Sequence, residues 1–258
     1  MTSFIPVDSA NVVITGGGDG IGRGLAARFV ASGARVLVTG RSKEKLERAA
    51  SELPGLETLV NDISIPAERE LLSQRVQEVM PGINVLINNA GIQRRVSLAA
   101  DTSPWNERQV EIDTLLCGPV HLNHLLVPVI LAHGGPAIIA NVTSGGAYIP
   151  QPFAPLYSAC KAALHSYTMN LRFALAGTSC KVVEIIPPAI RTALAGPSAT
   201  HGAPLDDFCD RIFAALSRED AIEIGYGATA GPAVEERLSL DRKLFESFSG
   251  RFPVKTYT

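Results

Sequence analysis

Short apolar runs alternate with longer amphipathic stretches along the whole chain. The runs at 12–14, 35–39, 58–60, 85–88, 137–142, 182–186 and 222–224 are brief and almost wholly apolar, as buried strands are. Between them, 21–32, 43–53, 66–80, 104–132 and 157–176 carry the three-to-four-residue apolar period of helices. Gly33, Pro54-Gly55 and Gly177 stop three of these. Pro119 and Pro128 kink or divide the longest. A loop and a short helix fill 189–216. The alternation implies parallel strands joined by right-handed crossovers, with helices on both faces. The expected fold is α/β: a Rossmann-type, doubly wound parallel sheet of about seven strands in a single domain. That domain spans 1–258, with 189–217 as a substrate lid and 231–258 as a more polar, peripheral C-terminal tail.

Composition supports this picture. The 258 residues are 46% hydrophobic and 19% charged, enough for a sizeable core. A net charge of −2, with scattered arginines, gives no reason to expect nucleic acid or an anionic membrane as partner. Cys117, Cys160, Cys180 and Cys209 share no metal-ligand or redox spacing and read as reduced, mostly buried thiols. His121 and His124 are three apart on one helix, but no third ligand accompanies them, so no metal site is expected. No signal peptide opens the chain, and Pro119, Pro128 and polar positions break up the longest apolar candidate for a membrane span. A cytoplasmic enzyme acting on a small molecule is the expectation.

In doubly wound sheets, ligands sit beyond the carboxyl ends of the strands. The first strand runs directly into Thr15-Gly16-Gly17-Gly18-Asp19-Gly20-Ile21-Gly22 and a helix. The spacing is T-G-x-x-x-G-x-G, not the strict G-x-G-x-x-G. Its glycines still permit a tight turn and close backbone approach to a phosphate at a helix N-terminus. The second strand ends at Thr39-Gly40-Arg41-Ser42. An NAD-preferring site places a carboxylate there for the ribose 2′-hydroxyl, whereas Arg41, helped by Arg23, suits a 2′-phosphate. NADP(H) is therefore favoured over NAD(H), although Asp19 is an unfavourable neighbour for phosphates.

Tyr157 and Lys161 open the fifth helix at i,i+4, which puts phenol and ammonium on one face. An ordinary tyrosine, with a pKa near ~10, is a poor acid/base at neutral pH; a neighbouring ammonium stabilises the phenolate and lowers that value. Ser144 follows the fifth strand and can present its hydroxyl to a substrate oxygen. Taken singly, these residues have mundane readings as core, surface and turn. Together, after strand ends, they form a catalytic set.

On these motifs, with Asn88-Asn89-Ala90-Gly91 and the stretch Pro187 to Thr192, the sequence resembles the short-chain dehydrogenase/reductase family over about residues 10–227. Details such as Ile87 to Gln93 and Pro204 to Phe208 look closest to its DltE-like oxidoreductases. The resemblance implies that Tyr157 exchanges a proton with the substrate oxygen, that Ser144 holds that oxygen, and that Lys161 binds the nicotinamide ribose and lowers the tyrosine pKa. It further implies cofactor contacts from Gly16, Gly20, Ile21, Gly22, Arg41, Asp62, Ile63, Asn89, Ala90, Gly91, Pro187, Ile190 and Thr192. Gln93, Phe153, Ala193 and Leu194 are candidates for substrate contact, and their character suggests a partly hydrophobic substrate. A homodimer or homotetramer through the fourth and fifth helices is implied, with Leu122, Leu125, Leu126, Leu164 and Leu171 suited either to that interface or to the core.

Two positions depart from the family. Pro188 stands where glycine is usual. Leu115 stands where an asparagine usually holds a water that links the lysine to solvent; Asp113 and Thr114 are the nearby polar substitutes. The expected activity is hydride transfer between nicotinamide and a carbonyl, alcohol or imine carbon. Leu115 also keeps open a non-redox cyclase or isomerase on this fold. A catalytically silent nucleotide-binding regulator is the third reading, and the intact Ser144, Tyr157 and Lys161 count against it.

Overall fold

The computed structural model describes residues 4–196 and 202–258. Seven strands, β1 (Asn11–Thr15), β2 (Arg35–Gly40), β3 (Leu56–Val60), β4 (Val85–Asn88), β5 (Ala137–Val142), β6 (Cys180–Ile186) and β7 (Glu223–Gly225), form one sheet in the order β3-β2-β1-β4-β5-β6-β7. Every pairing is parallel. The chain builds outward from β1 to β3, returns to place β4 beside β1, and then builds the other way. That reversal opens a crevice at the carboxyl ends of β1 and β4.

The helices are α1 (Gly20–Ala31), α2 (Lys43–Glu52), α3 (Pro66–Val79), α4 (Trp105–Ile112), α5 (Gly118–Ala132), α6 (Pro155–Leu175), α7 (Leu205–Leu216) and α8 (Pro232–Ser249). One apolar layer joins Leu25, Phe29, Val36, Val85 and Ile212; the other joins Leu72, Val76, Leu122, Leu126 and Leu171. Burial on both faces is why the strands read as unbroken apolar runs. Leu122, Leu126, Leu164 and Leu171 are buried within the subunit, so they belong to its core rather than to an interface.

The long fourth helix is interrupted as its prolines suggest, but by a π turn. Residues Asp113–Cys117 form it, with the Gly118 amide donating to the Asp113 carbonyl five residues back. Pro119 has no N–H to give the Leu115 carbonyl, which relaxes the α-helical pattern there. The run 105–132 is nonetheless long and apolar enough to cross a membrane by length and composition. In the fold Leu122, Leu126, Val127 and Ile130 are buried in the apolar layer against the sheet.

Polar side chains also run through this core. Asn88 on β4 donates to Asn123 on α5 and to Asn141 on β5, both at 2.9 Å, and Asn141 donates to the Thr168 hydroxyl on α6 at 3.0 Å.

Two expected boundaries change. Helix α7 buries Phe208, Cys209, Ile212 and Ala215. Against α1, Phe213 meets Phe29 edge-on at 5.0 Å, and Arg28 pairs with Asp206 and Asp210. A helix with so wide an apolar face is core, so 205–216 is not lid; residues 197–201 of that span lie outside the described residues. The tail is not merely peripheral either. Val234 and Leu238 of α8 pack with Tyr148 and Ile186, and Arg242 is ion-paired with Glu223 at the start of β7.

Candidate active site

A cavity of about 670 Å³ opens at the carboxyl ends of the strands. Its wall begins at the glycine-rich turn. Gly16 has φ +67°, and a Cβ there would stand 2.7 Å from the Ala90 Cα, so only glycine fits. Asn89 locks the turn to β4: its Nδ2 donates to the carbonyls of Thr15 and Gly16, while the Thr15 hydroxyl accepts from the amides of Asn89 and Ala90. Gly22 lies beneath, where a Cβ would be 2.4 Å from the Gly16 carbonyl oxygen and 2.5 Å from Asn89 Nδ2. It is absent from the cavity wall, so its expected cofactor contact becomes a packing role: it lets helix and turn close on each other.

The rest of the expected set comes together. Gly16, Gly20, Ile21, Arg41, Asp62, Ile63, Asn89, Ala90 and Gly91 line the cavity toward β1–β4. Ser144, Tyr157, Lys161, Pro187, Ile190 and Thr192 line it toward β5 and β6, with Gln93, Phe153, Ala193 and Leu194. Arg23 does not join them, because Glu52 on α2 captures its guanidinium. Lys45, which sequence reasoning overlooked, lines the wall instead and pairs with Asp19 at 2.9 Å; Asp19 also caps α1 at the Gly20 amide.

Arg41 stands 3.9 Å from Asp62, whose other oxygen accepts from the Ser64 amide. Beside them, Thr39 Oγ1 and Asn61 Oδ1 are buried in the wall without hydrogen-bond partners among the described residues. Unpaired buried polar atoms are costly unless a ligand meets them. Glycine floor, helix N-terminus, cations and orphaned polar atoms together fit a dinucleotide, with its phosphates at the turn.

At the other end, Ser144 follows β5 and accepts from the Gly146 amide at 3.1 Å. Tyr157 and Lys161 sit one turn apart on α6, both buried. The Lys161 ammonium donates to the Val142 carbonyl at 2.7 Å and lies 5.7 Å from the phenol ring centre. Burial raises the Tyr157 phenol by more than its hydrogen bond with Ser144 lowers it, and burial pushes Lys161 down to about 8. The expected lowering of the phenol by Lys161 is therefore not what this geometry gives; the ammonium is turned to the β5 carbonyl. Burial likewise raises the thiols, Cys160 to about 11 and Cys180 and Cys209 to about 12, which leaves them protonated and unreactive.

Leu115 is fully buried in an apolar cluster with Ala154, Tyr157 and Cys160. The nearby polar side chains do not replace an asparagine. Thr114 lines the cavity but gives its hydroxyl hydrogen to the Val110 carbonyl, and Asp113 accepts from Gln109 away from the wall. Leu115→Asn is expected to cost about 1–3 kcal/mol, because an amide would enter this cluster without partners. A thermal melt checks it, and an unchanged midpoint would show that a polar partner is within reach.

A second buried cluster lies behind the site. Glu184, a carboxylate inside the apolar run of β6, accepts from Thr143 at 2.7 Å, from Tyr148 at 2.6 Å and from His165 at 2.8 Å. His165 in turn stands 3.8 Å from Asp241 on α8. A charge in the otherwise apolar run 182–186 was the available signal; its partners come from the segment between β5 and α6 and from α6 itself.

The parallel sheet with its topological switch, the glycine turn and the Ser-Tyr-Lys wall define a dinucleotide-dependent oxidoreductase. The sequence profile of the short chain dehydrogenase family matches residues 10–202. The uncharacterized oxidoreductase DltE of Bacillus subtilis (strain 168) is 39% identical over 183 residues, covering 71% of this chain and 72% of the relative. A sulfoacetaldehyde reductase of Chromohalobacter salexigens is 32% identical, covering 86% and 89%. The crystal structure of a short chain dehydrogenase from Burkholderia cenocepacia J2315 in complex with NADP superimposes with a TM-score of 0.79 at 25% identity, covering 94% of this chain and 98% of that one. The chain belongs to the short-chain dehydrogenase/reductase family and is an NAD(P)-dependent oxidoreductase of its DltE-like branch.

Proposed function

We propose that the protein is an NADP(H)-dependent reductase of a carbonyl or imine in a small, partly hydrophobic substrate, with Tyr157 as acid/base. The observation that carries this reading is the convergence of Ser144, Tyr157 and Lys161 on the cavity that begins at the glycine turn. Bound there, the cofactor supplies hydride to the acceptor carbon. The phenol of Tyr157, kept protonated by burial, gives its proton to the acceptor oxygen. Ser144 would hold that oxygen, and Lys161 would hold the nicotinamide ribose with the donors that the Val142 carbonyl leaves free. Phe153, Ala193 and Leu194, with Ile149 and Val234, cover the substrate body. Residues 189–196 and 202–204 serve as its lid, and copies of the chain associate as a dimer or tetramer through the α5 and α6 side.

Arg41 supports NADP(H) over NAD(H), since it follows β2 where a 2′-phosphate would lie and is half exposed. Fluorescence titration is expected to show NADPH binding about 10–100-fold tighter than NADH, the value of a charge-assisted hydrogen bond, with Arg41→Ala removing the difference. Equal affinities in the wild type would refute the preference. Turnover is then read as loss of NADPH absorbance across a carbonyl panel. That panel includes sulfoacetaldehyde, after the activity for which one relative is named. Leu115 favours one other reading, a cyclase or isomerase without net redox change, because it removes the usual water site beside the lysine. Product formation with constant NADPH absorbance would select it.

A further inference from the structure

The substrate end of the cavity contains a cation without a counter-ion among the described residues. Arg95 follows β4 and lines the same wall as Ser144 and Tyr157. Its Nε donates to Gln93 Oε1 at 3.0 Å, and its guanidinium carbon lies 5.3 Å from the centre of the Phe153 ring. Gln93 in turn reaches Gln151 Oε1 at 3.4 Å. These contacts leave both terminal nitrogens of Arg95 without a hydrogen bond to any described residue.

The neighbours behave differently. Arg94 is held by Asp101 and Ser103, and Arg108 by the same aspartate. The carboxylates in the cavity wall, Asp19 and Asp62, stand at the far end beside Lys45 and Arg41. Arg95 forms no ion pair among the described residues. Arg95 is exposed, but stacking on the Phe153 ring and the Nε hydrogen bond hold its guanidinium at the cavity wall, with the outer edge of its fork open.

We infer that Arg95 anchors an anion, and that the substrate is a carbonyl compound carrying a carboxylate or sulfonate group. The fork of a guanidinium matches two oxygens of either group. Phe153 and Ile149 then cover the carbon chain between the anion and the reacting carbonyl. This rests on the reductase reading for its chemistry, but not for the anion contact itself.

Two measurements separate them. In NADPH oxidation, succinic semialdehyde is expected to be used with a kcat/KM about 10–100-fold above that of its methyl ester, the difference lying in KM. Arg95→Gln collapses that ratio toward one, and Arg95→Lys restores part of it. An ester used as well as the acid, or a ratio untouched by Arg95→Gln, overturns the inference. Calorimetry on protein saturated with NADP⁺ then tests the anchor without turnover, using succinate and ethanesulfonate as probes. Binding abolished by Arg95→Gln supports it even if no aldehyde is reduced, an outcome that would count against the reductase alone. Absent binding, or binding indifferent to Arg95→Gln, overturns it.

Discussion

Tyr157→Phe is expected to lower the turnover of carbonyl reduction by roughly 1,000-fold, the middle of the range for a positioned general acid. The substitution removes one oxygen and keeps the ring in its cluster with Leu115, Ala154 and Cys160. NADPH affinity should therefore move by less than about tenfold, the limit for one lost hydrogen bond. The two readouts belong together. A large fall in turnover with nearly constant cofactor binding identifies a group acting on the substrate oxygen. Turnover that survives the change would remove Tyr157 from the chemistry and pass the proton to another donor.

His165→Leu is expected to destabilise the fold by about 3–5 kcal/mol, because it strands the buried Glu184 carboxylate. At about 2–4 °C per kcal/mol for a chain of this size, melting falls by roughly 6–20 °C. The pH dependence follows from both partners. Although burial opposes its charge, the Glu184 carboxylate holds His165 above its usual 6.5, so that contribution is complete below 6.5 and is lost as pH rises through the raised value. Burial also opposes the Glu184 charge, but hydrogen bonds from His165, Thr143 and Tyr148 hold it below its usual 4.5, so its contribution is complete above 4.5 and is lost at lower pH. The gap between wild type and variant is thus widest between 4.5 and 6.5 and narrows above. Adding Glu184→Gln to the variant should restore part of the loss by removing the stranded charge. A double variant no more stable than the single one would mean that packing, not charge, sets the cost.

Much of this was legible before any coordinates. The strands announced themselves because a sheet covered on both faces needs unbroken apolar runs, and the glycine turn and Tyr157/Lys161 pair are local in sequence. What failed was long-range. Arg23 looked free for a phosphate, but Glu52, 29 residues on, takes it. The Lys161 ammonium shares a helical face with Tyr157, yet β5 lies close enough for the Val142 carbonyl to claim it. The apolar period of 205–216 was visible, but only the tertiary fold says that its partner is α1 rather than a ligand. Arg95 drew no notice for the same reason: the Phe153 ring reaches it from beyond β5.

The asparagine chain through Asn88, Asn123 and Asn141 has a consequence for how the sheet finds its pairing. Apolar strands of Val, Ile and Leu slide past one another with little penalty, because a slip of two residues returns each side chain to the same face. The amides do not slide. In a shifted alignment of β4 on β5, Asn88 would lose Asn141 and keep only Asn123, at about 1–3 kcal/mol for the lost buried partner. The chain thus acts as an address written into an otherwise repetitive interior, readable in one alignment only. It fixes the crevice edge from which Asn89 reaches back to the glycine turn.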